Sequence, residues 1–181
     1  MNYVEPIRDS GMVNDIANYL KKDNLRNYIM YIIGINTGLR ISDILKIKVK
    51  DVRNKQFIVL KEKKTSKQRN IKINKVLRRE FRMYCIGKDS NEYLIKSRIG
   101  VNKPISRYMA YKILNETASM FGLENIGTHT LRKTFGYHFY NQTKDAATLR
   151  LIFNHSSDAV TLRYIGILQE SINTKIDNFE I

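Results

Sequence analysis

His155-Ser156-Ser157-Asp158-Ala159-Val160-Thr161-Leu162-Arg163-Tyr164 is the stretch on which the reading of this chain turns. It opens on an imidazole and offers Ser156 or Ser157 as a helix cap. It closes on a phenol nine residues after the histidine. Upstream lie His129-Thr130-Leu131-Arg132 and, earlier still, Thr37-Gly38-Leu39-Arg40-Ile41-Ser42-Asp43. One phenol and a set of cations read as a nucleophile and a cradle for a phosphodiester.

The chemistry of such a cleavage dictates which groups it needs. A phenol has a pKa of about 10 and attacks poorly at neutral pH until cations favour the phenolate or a base takes its proton. Attack places extra negative charge on the nonbridging oxygens, which arginine forks meet well. The departing 5′-oxygen needs a general acid, and a lysine crowded by other cations can serve. Arg40 lies beside an expected helix start, where backbone N–H groups also favour anions. Asp43, three residues on, can share its face and hold its guanidinium. His129 and Arg132 stand in the same i, i+3 relation, and Lys64 is the candidate acid.

Composition agrees with a polyanionic partner. Across 181 residues there are 32 Lys and Arg against 17 Asp and Glu, a net charge of +15. Basic patches gain affinity by releasing counterions from phosphate backbones. No apolar run is long enough to span a bilayer, and no secretory segment follows Met1. The single cysteine, Cys85, excludes an internal disulfide, fits a reducing compartment and reads as core. No Cys/His cluster has zinc spacing, no paired carboxylates suggest a two-metal site, and no Walker-type phosphate loop occurs.

The expected fold class is mainly α with a small antiparallel β-hairpin, in one domain over residues 1–181. Val13, Ile16, Ala17 and Leu20 form one helical stripe, and Leu25, Tyr28, Ile29, Ile32 and Ile33 a second. Gly38 is the expected stop of that second helix. Residues 56–60 and 69–74 read as strands joined by Lys61-Glu62-Lys63-Lys64-Thr65-Ser66-Lys67-Gln68, a basic hairpin with a flexible tip. Its Lys61, Lys63, Lys67 and Arg69 are candidate DNA-binding residues. Helices are expected at about 75–86, 104–121, 130–142, 145–153 and 157–165. Ile165, Leu168, Ile172, Ile176 and Phe179 then repeat at helical spacing, a face that packs on its own domain or docks on a neighbouring copy. His138, inside the apolar run from Phe135 to Tyr140, reads as core or surface.

Together these motifs resemble the catalytic domain of the tyrosine recombinases, the lambda-integrase type, over about residues 10–170. In that family a Thr-Gly-Leu-Arg-like segment carries the first arginine, here Arg40. A lysine in a β-hairpin ahead of a basic strand matches Lys64, the His-x-x-Arg pair matches His129 and Arg132, and a Gly-His-Ser-Ser-like segment with a tyrosine nine residues on matches His155 and Tyr164. The resemblance implies a DNA breaking and rejoining enzyme, a site-specific recombinase. Tyr164 would attack the phosphodiester, form a 3′-phosphotyrosyl bond and free a 5′-hydroxyl. The 5′-hydroxyl of a partner strand would reverse it. Neither ATP nor a metal or other cofactor is implied, because the covalent bond conserves the energy. The resemblance also implies double-stranded DNA as partner, a homotetramer on DNA with a monomer when free, accessory DNA-binding proteins, exchange of the segment 165–181 between protomers, and a bacterial or phage-encoded cytoplasmic protein.

Two departures stand out. Asn154 replaces the glycine usual before the second histidine, though asparagine tolerates left-handed backbone. The family's core-binding helical domain is expected to be absent, in an excised fragment or a naturally short protein. Two other functions are open to the same residues: a type IB topoisomerase relaxing one duplex, and a non-catalytic DNA-binding regulator that keeps the fold. A regulator has no need of a nucleophile.

Overall fold

The computed structural model describes residues 4–61 and 68–180. Its centre is helix α2 (Leu25–Thr37), apolar on all sides, with Ile29, Met30, Tyr31 and Ile33 each at most 1% exposed. A helix apolar around its girth must be enclosed, and α1 (Ser10–Asp23) packs across it with Ile16 and Leu20 buried. The Tyr31 hydroxyl, lifted far above its usual pKa by burial, donates to the Val13 carbonyl at 3.1 Å and joins the two helices. Asp9 and Asn24 cap α1 and α2 by accepting from backbone N–H groups of their first turns.

Helix α2 ends where expected. Gly38 takes φ +62°, and its N–H reaches the Gly34 carbonyl. A β-carbon there would stand 2.5 Å from the Phe135 ring and 2.9 Å from the Phe153 ring. Both the left-handed backbone and the lack of space therefore demand glycine. The short helix α3 (Ile41–Ile44) follows directly after Arg40.

Strands β1 (Phe57–Lys61) and β2 (Gln68–Lys72) pair antiparallel, with Ile58 opposite Ile71 and Leu60 opposite Arg69. Ile58 is buried while Gln68, Asn70 and Lys72 face solvent, the alternation read from the sequence. Lys63, Lys64 and Lys67 lie outside the described residues. Helix α4 (Lys75–Tyr84) buries Leu77 and Phe81 on the core side, capped by Asn74. Cys85, just beyond it, is 3% exposed, as a core cysteine should be, and burial raises its thiol pKa.

Helix α5 (Arg107–Met120) starts three residues later than the apolar pattern suggested, because Pro104 is spent in an antiparallel bridge to Lys96 and Ser106 is the cap. Helices α6 (Thr130–Thr143), α7 (Ala146–Phe153), α8 (Asp158–Tyr164) and α9 (Ile167–Asp177) complete the chain. Leu149, Phe153 and Ile165 form a second apolar cluster, flanked by Phe135, Phe139, Leu162 and Tyr164. Here α6 must come close: a β-carbon on Gly136 would meet Ile165 at 2.6 Å and Phe153 at 2.8 Å. Residues 4–9 run along α6, where the Ile7 N–H donates to Thr134 Oγ1 and the Ile7 carbonyl accepts from His138 Nε2, each at 2.9 Å. His138 is thus a backbone partner. Helix α9 buries no residue, and Ile172, Ile176 and Phe179 are 49%, 65% and 70% exposed.

Candidate active site

Arg132 organises the site. It sits in the first turn of α6, 3% exposed, and its guanidinium ties two distant turns together. Nη1 donates to the Gly38 carbonyl at the end of α2, and Nη2 donates to the Phe153 carbonyl at the end of α7, at 2.8 Å. The cation also lies 4.1 Å above the Phe153 ring. Burial, with Arg40 and Arg69 nearby, lowers its pKa to about 10 despite the opposing influence of Tyr164, so it remains a cation at neutral pH. Two of its five N–H donors hold the backbone, and the guanidinium also hydrogen-bonds the Tyr164 phenol.

Tyr164 ends α8 and packs edge-on against Phe153, with ring centroids 5.6 Å apart. Burial raises the pKa of its phenol, while Arg132 and Arg40 pull it back down. The balance keeps the hydroxyl protonated at neutral pH, so attack requires a proton acceptor. The His129 Nδ1 stands 3.3 Å from the Tyr164 oxygen, within reach of its proton. Burial, then Arg132, Arg40 and Lys133, depress the His129 pKa below its ordinary value, leaving the imidazole neutral and basic. His155 lies beside the same phenol, with ring centroids 5.1 Å apart. Its pKa is also lowered by burial and the two arginines. Arg40 is exposed at the head of α3, and its charge reaches Tyr164, His129, His155 and Arg132 alike.

Backbone geometry delivers these groups. Helix α7 closes on Asn154 at φ 55°, ψ 49°, so the asparagine takes the left-handed turn expected of it, and the His155 N–H bonds back to the Arg150 carbonyl at 3.1 Å. Ser157, not Ser156, caps α8, accepting from the Val160 N–H at 3.2 Å.

Of the sequence-predicted residues, Arg40, His129, Arg132 and His155 gather around the Tyr164 phenol. Lys64 lies outside the described residues, and the side chain of Lys61 is not described. Asp43 does not clamp Arg40. Its carboxylate instead pairs with Lys46 at 3.5 Å, because α3 turns the i, i+3 neighbour on its far side toward it. Arg69, read as a DNA contact, is half-buried and donates to the Ile152 carbonyl, bolting β2 to the end of α7. Three neighbours escaped the sequence reading. Lys133 lies 5.3 Å from the Tyr164 ring centroid, Phe153 floors the site, and Thr161 touches His155. Only their spacing from Arg132, His155 and Tyr164 could have signalled them.

Known proteins share this sequence and fold. The family model described as the Phage integrase family matches residues 9–170. A probable integrase/recombinase of Bacillus subtilis, YoeC, is 52% identical over 171 residues, covering 94% of each chain. Tyrosine recombinase XerA of Pyrococcus horikoshii is 25% identical over 88% of this chain and 56% of its own. Among solved structures, the crystal structure of XerA recombinase superposes with TM-score 0.72 at 18% identity, over 98% of this chain and 65% of that one. XerH site-specific recombinase bound to difH substrate, in its pre-cleavage complex, superposes with TM-score 0.70 over 91% of this chain and 50% of its own. The chain therefore spans nearly all of the Bacillus relative and a little over half of the archaeal one. Among the described residues no helix is long and apolar enough to cross a membrane.

Proposed function

Because this chain belongs to the phage integrase family, we propose that it cleaves and rejoins DNA strands at specific sites through a phosphotyrosyl bond formed by Tyr164. The observation that carries the reading is the 3.3 Å approach of His129 Nδ1 to the Tyr164 hydroxyl, beside a buried Arg132. A neutral imidazole takes the phenolic proton as the oxygen attacks phosphorus. The P–O5′ bond breaks, the 3′-phosphate stays on Tyr164, and the 5′-oxygen leaves with a proton from the hairpin lysine, Lys64. Arg132 and Arg40 take up the charge that builds on the nonbridging oxygens. Arg132 does so with a guanidinium already fixed by two carbonyls, so little reorganisation is spent at the transition state. His155 adds a second ring nitrogen at the same phosphate. Attack by another strand's 5′-hydroxyl returns the proton flow and releases Tyr164.

Double-stranded DNA is the proposed partner, in keeping with the net charge of +15. The exposed apolar face of α9 supports assembly of several copies on DNA through exchange of the segment 165–181. No specific observation favours relaxation of one duplex or a purely regulatory role.

The test is covalent trapping. Wild-type protein is incubated with a pool of nicked duplexes of varied sequence, denatured, and resolved by gel. Wild type is expected to carry labelled DNA through denaturation, and Tyr164→Phe to carry none while still shifting duplex in native gels. A wild-type protein that shifts the duplexes and traps none of them would leave the regulator in place of the recombinase.

A further inference from the structure

Thr161 is the one polar side chain of α8 that solvent does not touch: it is 0% exposed. A hydroxyl so placed must satisfy both its proton and a lone pair within the protein. Its Oγ1 lies 3.1 Å from the Ser157 carbonyl oxygen one turn back, and 3.1 Å from His155 Nδ1. The carbonyl oxygen can only accept. If the hydroxyl proton pointed at His155 instead, two oxygens would face each other at 3.1 Å with no hydrogen between them. The arrangement that satisfies every atom puts the Thr161 proton on Ser157 and the imidazole proton on Nδ1, donated to Oγ1. From this bookkeeping we propose that Thr161 is a positioning residue that locks His155 in its Nδ1–H tautomer and so presents Nε2 as a proton acceptor toward the cleft.

The placement is built from one short segment. Ser157 caps α8 and supplies the carbonyl, Thr161 follows four residues later, and Tyr164 one turn after that. The imidazole is therefore tied to the helix that carries the nucleophile. The Phe153 ring, 5.3 Å away between centroids, packs against its side. Among the described residues Oγ1 of Thr161 is the sole hydrogen-bond partner of the His155 ring. Arg132 from α6, Arg40 ahead of α3 and Tyr164 from α8 are the charged and titratable groups that face it. None of the three holds Nδ1. Two neutral imidazoles would then flank the phenol, His129 approaching the hydroxyl and His155 offering Nε2 to the scissile linkage. A proton taken up from solvent at Nε2 would turn it into a donor to a phosphate oxygen, with Nδ1–H unchanged throughout. That catalytic consequence rests on the recombinase reading, but the tautomer does not.

The experiment uses the full chain labelled with 15N-histidine. Long-range proton–nitrogen correlation at about pH 8 distinguishes the two neutral tautomers, and the His155 signals are identified by their loss in His155→Gln. Wild type is expected to show Nδ1–H, Thr161→Ser to keep it, and Thr161→Val to lose it in favour of Nε2–H or an exchanging mixture. In covalent trapping, Thr161→Val should form the adduct at least tenfold more slowly than wild type and Thr161→Ser within threefold of it. An Nε2–H imidazole in wild type overturns the proposal without any variant, and so does a Thr161→Val protein whose tautomer is unchanged. An expected tautomer with adduct formation undiminished in Thr161→Val overturns the catalytic part. If wild type shows Nδ1–H but traps no DNA, the recombinase reading has failed while the role of Thr161 stands.

Discussion

Gly38→Ala puts the coupling between fold and site to a quantitative test. Gly38 ends α2 at φ +62° and lends its carbonyl to Arg132. An alanine there pays about 1–2 kcal/mol for left-handed backbone. Its β-carbon would also stand 2.5 Å from Phe135 and 2.9 Å from Phe153, both ring atoms in a filled cluster. Overpacking of this kind costs about 1–3 kcal/mol. The sum is a loss of about 2–5 kcal/mol out of the roughly 5–15 kcal/mol that holds a domain of ordinary stability. Urea melts read by circular dichroism should move to a lower midpoint with the slope unchanged. The double variant Gly38→Ala/Phe135→Leu removes the nearer ring and should recover about 1 kcal/mol relative to additivity. At urea-free conditions the folded fraction of Gly38→Ala should still trap DNA at least tenfold more slowly, because the acceptor that aims Arg132 has moved. A melt within about 0.5 kcal/mol of wild type, the scale of an ordinary surface substitution, would refute the close packing, and trapping at the wild-type rate would refute its link to the arginine.

Three further outcomes follow from particular contacts. His129 must be neutral to accept the phenolic proton, and burial and its cationic neighbours hold its pKa below the ordinary 6.5; adduct formation should therefore be level near neutral pH and fall about one decade per pH unit only on the acid side, so an acid limb centred at or above 6.5 would contradict the assignment. Glu80 is 6% exposed and bridges Lys21 and Arg79; burial pushes its carboxyl up, but the two hydrogen-bonded cations outweigh it and hold the pKa below the usual range. A depressed carboxyl stabilises above its unfolded pKa, so wild type should exceed Glu80→Gln by about 1 kcal/mol at neutral pH, with the gap closing as pH falls through the folded pKa; equal melts at pH 7 would sink this. Replacing Ile172, Ile176 and Phe179 by serine removes exposed side chains only, so stability should hold within about 0.5 kcal/mol while the complexes formed on DNA, sized by light scattering, become smaller.

Much of this architecture was legible along the chain because the signals are local. The two stripes before residue 34 became α1 and α2, the glycine at position 38 stopped a helix where only left-handed backbone could, and the alternation of Arg69 to Ile73 became a strand. The start of α5 was misplaced because Pro104 fits a helix entrance equally well, and only its bridge to Lys96 disqualifies it. The reach of Arg69 to Ile152 could not be read at all, since a cation on a strand facing outward toward a phosphate and one facing a carbonyl 83 residues away look alike in one dimension. Asp43 and Arg40 illustrate the converse: i, i+3 spacing permits contact without compelling it.

From the order of amino acids alone came the helices, the hairpin and the chemistry of a tyrosine attended by arginines and histidines, because periodicity, capping and acid–base character belong to each residue and its near neighbours. Only the folded molecule decided which nitrogen of which histidine meets the phenol, that Arg132 is held by the ends of α2 and α7, and that His155 leans on Thr161. Those choices depend on distances between segments far apart in the chain, and such distances are set by how the apolar faces pack rather than by any residue's own preference.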